Sequence, residues 1–390
     1  MEEWKEYKLE EVCSRLRSGK GIKSDCISNI GLFPVIGGNG MRGYTNKSNF
    51  KGECAVIGRQ GANCGNVRFF MGEAYMTEHA VVAVGNELAD SYFLARLLSL
   101  MHLGNLSAQS AQPGLSIQTL SKQIIRLPSI SYQREISTVL KSLDDKIELN
   151  RRINDNLEQQ AQALFKSWFV DFEPFKEGKF VDSELGMIPE SWGVCSAETI
   201  FKINIGKTPP RKEQQWFTNI NNGNVKWISI SDLGSNEIFI EDSKEYLTKE
   251  AISKFNIIVV PEDTILVSFK LTVGRVGISN CELTTNEAVA RFYLPKSYFR
   301  EYTYLSLKNY NYARLGSTSS IATAVNSKII KNMKLLIPPV TIISEFSKRI
   351  NPLFNAIRIY ENEIRNLSKI RNTLLPELMS GKLKINDMNN

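Results

Sequence analysis

Residues 131–169 read SYQREISTVLKSLDDKIELNRRINDNLEQQAQALFKSWF, and the spacing of apolar side chains in this stretch decides the fold. Steps of four and three from Ile136 reach Leu140, Leu143, Ile147, Asn150, Asn154, Leu157, Ala161, Leu164 and Trp168. Eight of these ten positions are apolar and neither Pro nor Gly interrupts them, which predicts one long helix with a coiled-coil seam. At 1.5 Å per residue the seam spans roughly 48 Å. It returns once, at Phe346, Ile350, Leu353, Ile357, Tyr360, Ile364, Leu367, Arg371, Leu374 and Leu378, nine of them apolar.

The remaining sequence is a repeat preserved in order. The interval from Trp4 to Gly19-Lys20 matches that from Trp192 to Gly206-Lys207. Glu53–Gly58 followed by RQGANCGNV matches Asp263–Ser268 followed by FKLTVGRVG, and Met76–Val84 matches Thr284–Phe292. Ser91-Tyr92-Phe93 matches Ser297-Tyr298-Phe299, and Ser121–Ser129 and Ser327–Pro339 each lead into a long helix. Val/Ile-rich runs bounded by Gly and Asn predict strands, and Tyr92–Met101 and Tyr298–Leu307 predict helices. The chain therefore divides into a first globular unit at 1–130, a first long helix at 131–170, a connector at 171–188, a second unit at 189–338, a second long helix at 339–382 and a tail at 383–390.

If the two seams face each other, the helices are antiparallel, with a globular unit at each end and a pseudo-two-fold axis between. In that register Asn150 faces Ile364 and Asn154 faces Tyr360. The exposed apolar residues Trp168, Phe169, Phe172 and Phe175 fit either a partner surface or a local core.

At 390 residues one core is too few. The net charge of +7 suits a nucleic-acid partner without establishing one. Six cysteines form no CxxC pair and only His79 and His102 accompany them, so reduced thiols are expected rather than zinc. MEEWKEYKLEEV has no leader character and no apolar run approaches a membrane span, which points to the cytoplasm.

Catalytic motifs fail one by one. Ile205–Pro210 reads IGKTPP, but a phosphate loop needs Gly where Phe201 stands. Ile337–Val340 has the proline pair of an amino-methyltransferase without the polar residue that grips the amine. Pro261–Lys270 has Ser268 where a metal nuclease needs its second carboxylate. A non-catalytic recognition protein is the expectation. Glycine-rich basic turns follow the central strand of each unit and offer Arg59, Gln60, Asn63, Lys270 and Arg275, side chains suited to guanine and adenine edges. The same turns also suit a purely structural role. Further candidates are Arg42, Tyr44, Lys47, Lys207, Arg211 and Lys212.

With WFVDFEPF (Trp168–Phe175), ELGMIPESW (Glu184–Trp192), LLPELMSGKL (Leu374–Leu383) and Leu127-Pro128 and Ile337-Pro338 before the helices, the chain resembles the specificity subunit of a type I restriction-modification enzyme across essentially its whole length. One departure is Ile343, where the other repeat carries Gln133. The resemblance implies an α/β fold with two target-recognition domains joined by antiparallel coiled-coil helices. It implies reading of a bipartite, asymmetric double-stranded DNA site, and docking of two modification subunits and, through them, restriction subunits. No cofactor is expected in this chain; S-adenosylmethionine, Mg and ATP would belong to those partners. A helix pair of roughly 48 Å against a DNA turn of roughly 34 Å suggests a ruler for the gap. The alternative is a coiled-coil scaffold whose end domains bind a protein or glycan.

Overall fold

The computed structural model describes residues 3–107, 114–235, 237–315 and 325–385. The chain forms two compact units, Met1–Glu148 with Arg365–Asn390, and Leu149–Ile364. Both long helices, Ile130–Phe169 and Val340–Met379, therefore contribute to both units. Among the described residues no helix is long and apolar enough to cross a membrane.

In the first unit a six-stranded sheet runs Cys13–Ser18, Ala80–Gly85, Phe50–Gly58, Val67–Met76, Phe33–Gly37, Gly40–Thr45. Its centre is apolar on both faces: Ala80, Val81, Val82 and Ala83 are all buried, which explains an unbroken apolar run where a half-exposed strand would alternate. In the second unit a five-stranded sheet runs Lys202–Ile205, Val289–Tyr293, Ile265–Ser268, Val276–Ser279, Phe239–Ile240. The first five strands of the first sheet and the five of the second follow the same order. In both, the last of those pairings is parallel and the others antiparallel. In each unit the strand just before a long helix pairs antiparallel with an earlier strand, Ile124–Leu127 with Lys5–Lys8 and Lys334–Ile337 with Gly193–Ser196. The second unit adds a four-stranded sheet that includes Val225–Ile228 and Thr284–Thr285.

The long helices run antiparallel in each unit. Within the second unit Asn150 Nδ2 donates to Glu363 Oε2 at 2.8 Å, while the rings of Trp168 and Phe169 lie 5.7 and 4.7 Å from Phe346. Within the first unit Arg371 Nη1 donates to Asp144 Oδ1 at 2.8 Å, and Ile136 and Leu140 share a core with Leu378 and Met379. Of the seam residues, Ile136, Leu140, Ile147, Phe346, Ile350 and Ile357 are buried; Leu143, Leu157, Leu164, Leu353, Ile364, Leu367 and Leu374 are half-buried. Asn150 meets Glu363 rather than its neighbour Ile364, because a buried amide N–H left against an aliphatic side chain costs free energy. The Oδ1 atoms of Asn150 and Asn154 are buried without a hydrogen-bond partner among the described residues.

Burial on the helices is wider than the seam. Phe354, Glu361, Ser347, Gln133 and Ser137 are buried as well, since each helix also lies on a globular unit and needs a second inward stripe. Polar side chains fix that second contact. In the first unit, Gln133 Nε2 donates to the carbonyls of Leu88 and Pro128, its Oε1 accepts from Asp90 N–H, and Asp144 accepts from Tyr92 and Arg96. In the second, Glu301 accepts from Arg300, Ser347 and Asn351, and Asp263 accepts from Arg300 and Arg358. Glu361 accepts the N–H groups of Ile238 and Phe239 at 2.6 and 3.0 Å.

The connector aromatics are local core of the second unit. Trp168 and Phe169 are buried, and Phe172 and Phe175 lie 5.4 and 5.0 Å from Trp192. In the tail, Leu383 and Ile385 pack on the core of the first unit, and the remainder of the tail, 386–390, lies outside the described residues.

Candidate nucleic-acid interface

Two backbone devices recur in both units and decide what the candidate loops can do. The first is a glycine–lysine crossing. Gly19 and Lys20 donate their N–H groups to Ala80 and Met76; Gly206 and Lys207 donate theirs to Val289 and Thr285. A Cβ at Gly19 would overlap the Met76 carbonyl, and one at Gly206 the carbonyls of Asn286 and Thr285, so only glycine fits. IGKTPP is thus a strand crossing with no helix opening behind it.

The second device is the loop after the central strand. In the first unit Gly58 N–H donates to Asn66 and Gly65 N–H to Gly58, both at 2.8 Å; in the second, Ser268 N–H donates to Arg275 and Gly274 N–H to Ser268, both at 2.9 Å. Gly65 and Gly274 have φ of +82° and +89° and each rests against the short helix that follows, at Gly104 and Tyr312 respectively. Three residues into each loop stands another left-handed residue. In the first unit it is Gly61, φ +77°; in the second it is Leu271, φ +57°. The shared closing bonds make the glycines structural, and leave the residues between them free to differ.

The candidate side chains occupy several places in each unit. In the first unit the turn at Gly38 abuts Gly58 and Arg59, which brings Arg42, Arg59 and Gln60 to one end of the sheet; Arg42 and Gln60 are exposed, and Arg59 Nη1 reaches Ser18 Oγ at 3.5 Å. Asn63 accepts from Asn66 Nδ2 at 3.2 Å. Tyr44 and Lys47 lie at and beyond the far end of the Gly40–Thr45 strand. In the second unit Lys270 is exposed beside Leu271 on a cleft of about 1040 Å³, whose wall includes Ser231, Asn286, Glu287 and Asn326. Among the described residues, Arg42, Lys47, Lys212 and Lys270 carry no ion pair.

The other cations are occupied. Arg211 donates from both Nη atoms to Glu245 at 2.9 Å and stacks 4.4 and 4.5 Å from the rings of Phe217 and Trp227. That pairing raises the Arg211 guanidinium and holds the Glu245 carboxyl below the usual carboxylate range. Lys207 Nζ donates to the Phe255 carbonyl at 2.7 Å, and its own carbonyl accepts from Trp227 Nε1. Arg275 Nη1 donates to the Ile230 carbonyl at 2.7 Å and lines an inward cavity with Asp155 and Glu158. Sequence shows the charge of these three residues and not their hydrogen-bond partners, which come from 20 to 48 positions away.

Burial pushes the thiols of Cys13 and Cys54 up to about 12, so both remain protonated near neutrality. Among the described residues no cluster of His, Cys, Asp and Glu could hold a metal ion. Reasoning from charge missed Leu271, which is 97% exposed. A bulky residue at positive φ costs roughly 1–2 kcal/mol, and nothing in composition reports φ.

The family described as "Type I restriction modification DNA specificity domain" matches at residues 1–159 and 189–369. The type I restriction enzyme MjaIX specificity subunit of Methanocaldococcus jannaschii is 31% identical over 297 residues, 74% of this chain and 67% of that protein. The HindI specificity subunit of Haemophilus influenzae is 25% identical over 332 residues, 70% of this chain and 71% of its own. The crystal structure of a type I S subunit from M. genitalium superposes with a TM-score of 0.61 at 16% identity, over 97% of this chain and 96% of that one, a likeness of fold.

Proposed function

Because the chain belongs to the type I restriction-modification DNA specificity family, we propose that each of its two units reads one half of a bipartite duplex site. It is the DNA sequence-specificity subunit of such a system and is not itself an enzyme. The observation that carries the bipartite reading is the repeated strand order: one fold occurs twice, with the same closing bonds and different loops between them. Lys and Arg at the loops supply phosphate attraction, and the side chains between the closing bonds meet base edges.

In this reading the long helices set the number of base pairs between half-sites and dock two modification subunits, which bring restriction subunits with them. S-adenosylmethionine, Mg and ATP serve those partners, and the work is done in the cytoplasm. The polar grips at Gln133, Asp144, Glu301 and Asp263 give each globular unit a fixed angle on its helix, which a ruler requires.

The test assembles the full chain with its modification subunits and maps methylated sites. Exchange of residues 1–130 for those of another family member should change one half-site and leave the other and the gap intact. A heptad inserted after both Leu157 and Leu367 lengthens each helix by roughly 10 Å and should change the gap alone. An exchange that altered both half-sites, or an insertion that altered bases and not spacing, would overturn the proposal.

A further inference from the structure

The two loops after the central strands differ at one position in a way that the fold does not require. Gly61 and Leu271 occupy the same place, three residues after Gly58 and Ser268, and both have left-handed backbone. At Gly61 the conformation is free of steric cost. At Leu271 it is not, and the side chain that causes the cost is 97% exposed, packing on almost nothing in its own chain. Burial cannot be the reason for it, because an exposed isobutyl group gains no stability from the fold.

The loop is nonetheless held firmly. Ser268 Oγ donates to the Thr272 carbonyl at 2.6 Å and accepts from Arg275 N–H at 3.0 Å, and Gly274 rests on the ring of Tyr312. Phe269 beneath it is buried. A rigid loop thus presents an apolar tip, next to the exposed ammonium of Lys270 and on the rim of a cleft walled by Ser231, Asn286, Glu287 and Asn326. Thr208 Oγ1 donates to Glu287, which fixes that wall from the neighbouring crossing. Strain that is kept without benefit to packing marks a functional position.

We propose that Leu271 is a specificity-determining residue, packing on the 5-methyl group of a thymine in the half-site read by the second unit. The inference rests on the DNA reading above. The loop joins Ile265–Ser268 and Val276–Ser279, two inner strands of the five-stranded sheet, and so leaves the sheet at its end, where its tip can meet base edges in the major groove. The thymine methyl is the apolar feature of that groove's base edges. Lys270 beside it has the charge to meet a phosphate. The first unit, with Gly61 at the equivalent place, has no such contact, so the two half-sites are read by different chemistry at this position.

The experiment uses the full chain in complex with its modification subunits and a randomised duplex library, followed by binding to the selected site. Wild type should select at least one A·T pair in the second half-site, and replacing its thymine by uracil should weaken binding about fourfold, the worth of one methyl group in apolar contact. Leu271→Gly, which copies the first unit, should melt no lower than wild type, bind thymine and uracil duplexes equally, and keep the first half-site unchanged. Leu271→Asn, a short side chain tolerant of left-handed backbone, should behave in the same way. A second half-site without A·T pairs, a wild type indifferent to every uracil, or a Leu271→Gly variant that still discriminates would overturn the inference. So would methyl-independent bending of DNA lost in the variant, the mark of a wedge between base pairs. A wild type that selects no sequence would instead overturn the DNA reading, and this inference with it.

Discussion

In the first unit Asp144, on a long helix, takes an arginine of the globular part; in the second Asp263, on the globular part, takes an arginine of a long helix. Asp144, on the first long helix, accepts from Tyr92 and Arg96 of the globular unit and from Arg371. Glu301, on the short helix Arg300–Lys308, accepts from Ser347 and Asn351 of the second long helix, and Asp263 accepts from Arg358. Strand order, parallel pair, glycine crossing and loop closure are shared, yet in these ion pairs the charges that join unit to helix are arranged the other way round. Backbone hydrogen bonds and apolar burial tolerate wide sequence change so long as pattern and volume persist. A buried ion pair does not, because changing one partner strands the other. The two halves have therefore kept the first kind of interaction and rebuilt the second.

The sharpest break in that comparison is at Glu301, whose side chain is 1% exposed against Arg300 at 9%. Glu301→Ala leaves Arg300 with Asp263 alone and Ser347 and Asn351 without their acceptor, and should cost about 3 kcal/mol. Asp144 is 16% exposed, so Asp144→Ala should cost less, about 2 kcal/mol. Four of the five tryptophans (Trp168, Trp192, Trp216, Trp227) lie in the second unit, so fluorescence during urea unfolding follows the Glu301 variant directly. Equal losses at the two carboxylates would show that burial does not set their worth.

A smaller effect separates the loops. Gly61→Leu would place in the first unit what the second unit already has. A Cβ at Gly61 meets nothing within 4 Å, so the only penalty is left-handed backbone, about 1–2 kcal/mol. Urea denaturation of the full chain should show a loss of that size for Gly61→Leu. A neutral result would mean that this loop adapts its backbone, and that the first unit's glycine is there for another reason.

The division between legible and illegible follows the same physical line. The seam at Ile136, Leu140, Phe346 and Ile350 was readable because helical period and apolar character are local properties of sequence. The strand order could be inferred as a repeat, though not drawn, because pairing Cys13–Ser18 with Ala80–Gly85 depends on contacts some 65 residues apart. Gln133 and Ile343 occupy matched places and both are buried, but only the structure shows that Gln133 makes three hydrogen bonds which its apolar counterpart cannot. At the candidate interface, Arg42, Lys47, Lys212 and Lys270 are exposed, whereas Arg211, Lys207 and Arg275 are held by distant partners. Leu271 escaped because its signal is a backbone angle.

The Arg211–Glu245 pair gives the smallest effect and the one most specific to the second unit. Its hydrogen bonds to Arg211 hold the Glu245 carboxyl below the usual range against the opposing effect of burial, and that residue's charge adds a smaller lowering. A carboxyl depressed in the folded state adds stability that is fully present above its ordinary pKa and is lost as pH falls through the folded value. Both side chains are more than a third exposed, so screening limits the contribution to at most about 1 kcal/mol. Glu245→Gln should therefore lower the urea midpoint slightly near neutral pH, and the gap from wild type should close as pH falls below the ordinary carboxylate range. Because the Arg211 guanidinium lies 4.5 Å from the Trp227 ring, its release on acidification should also shift tryptophan emission in wild type and not in the variant. A gap that stayed constant below that range would mean that Glu245 acts here through packing alone, and that the second unit's added sheet needs no charge to hold its loop.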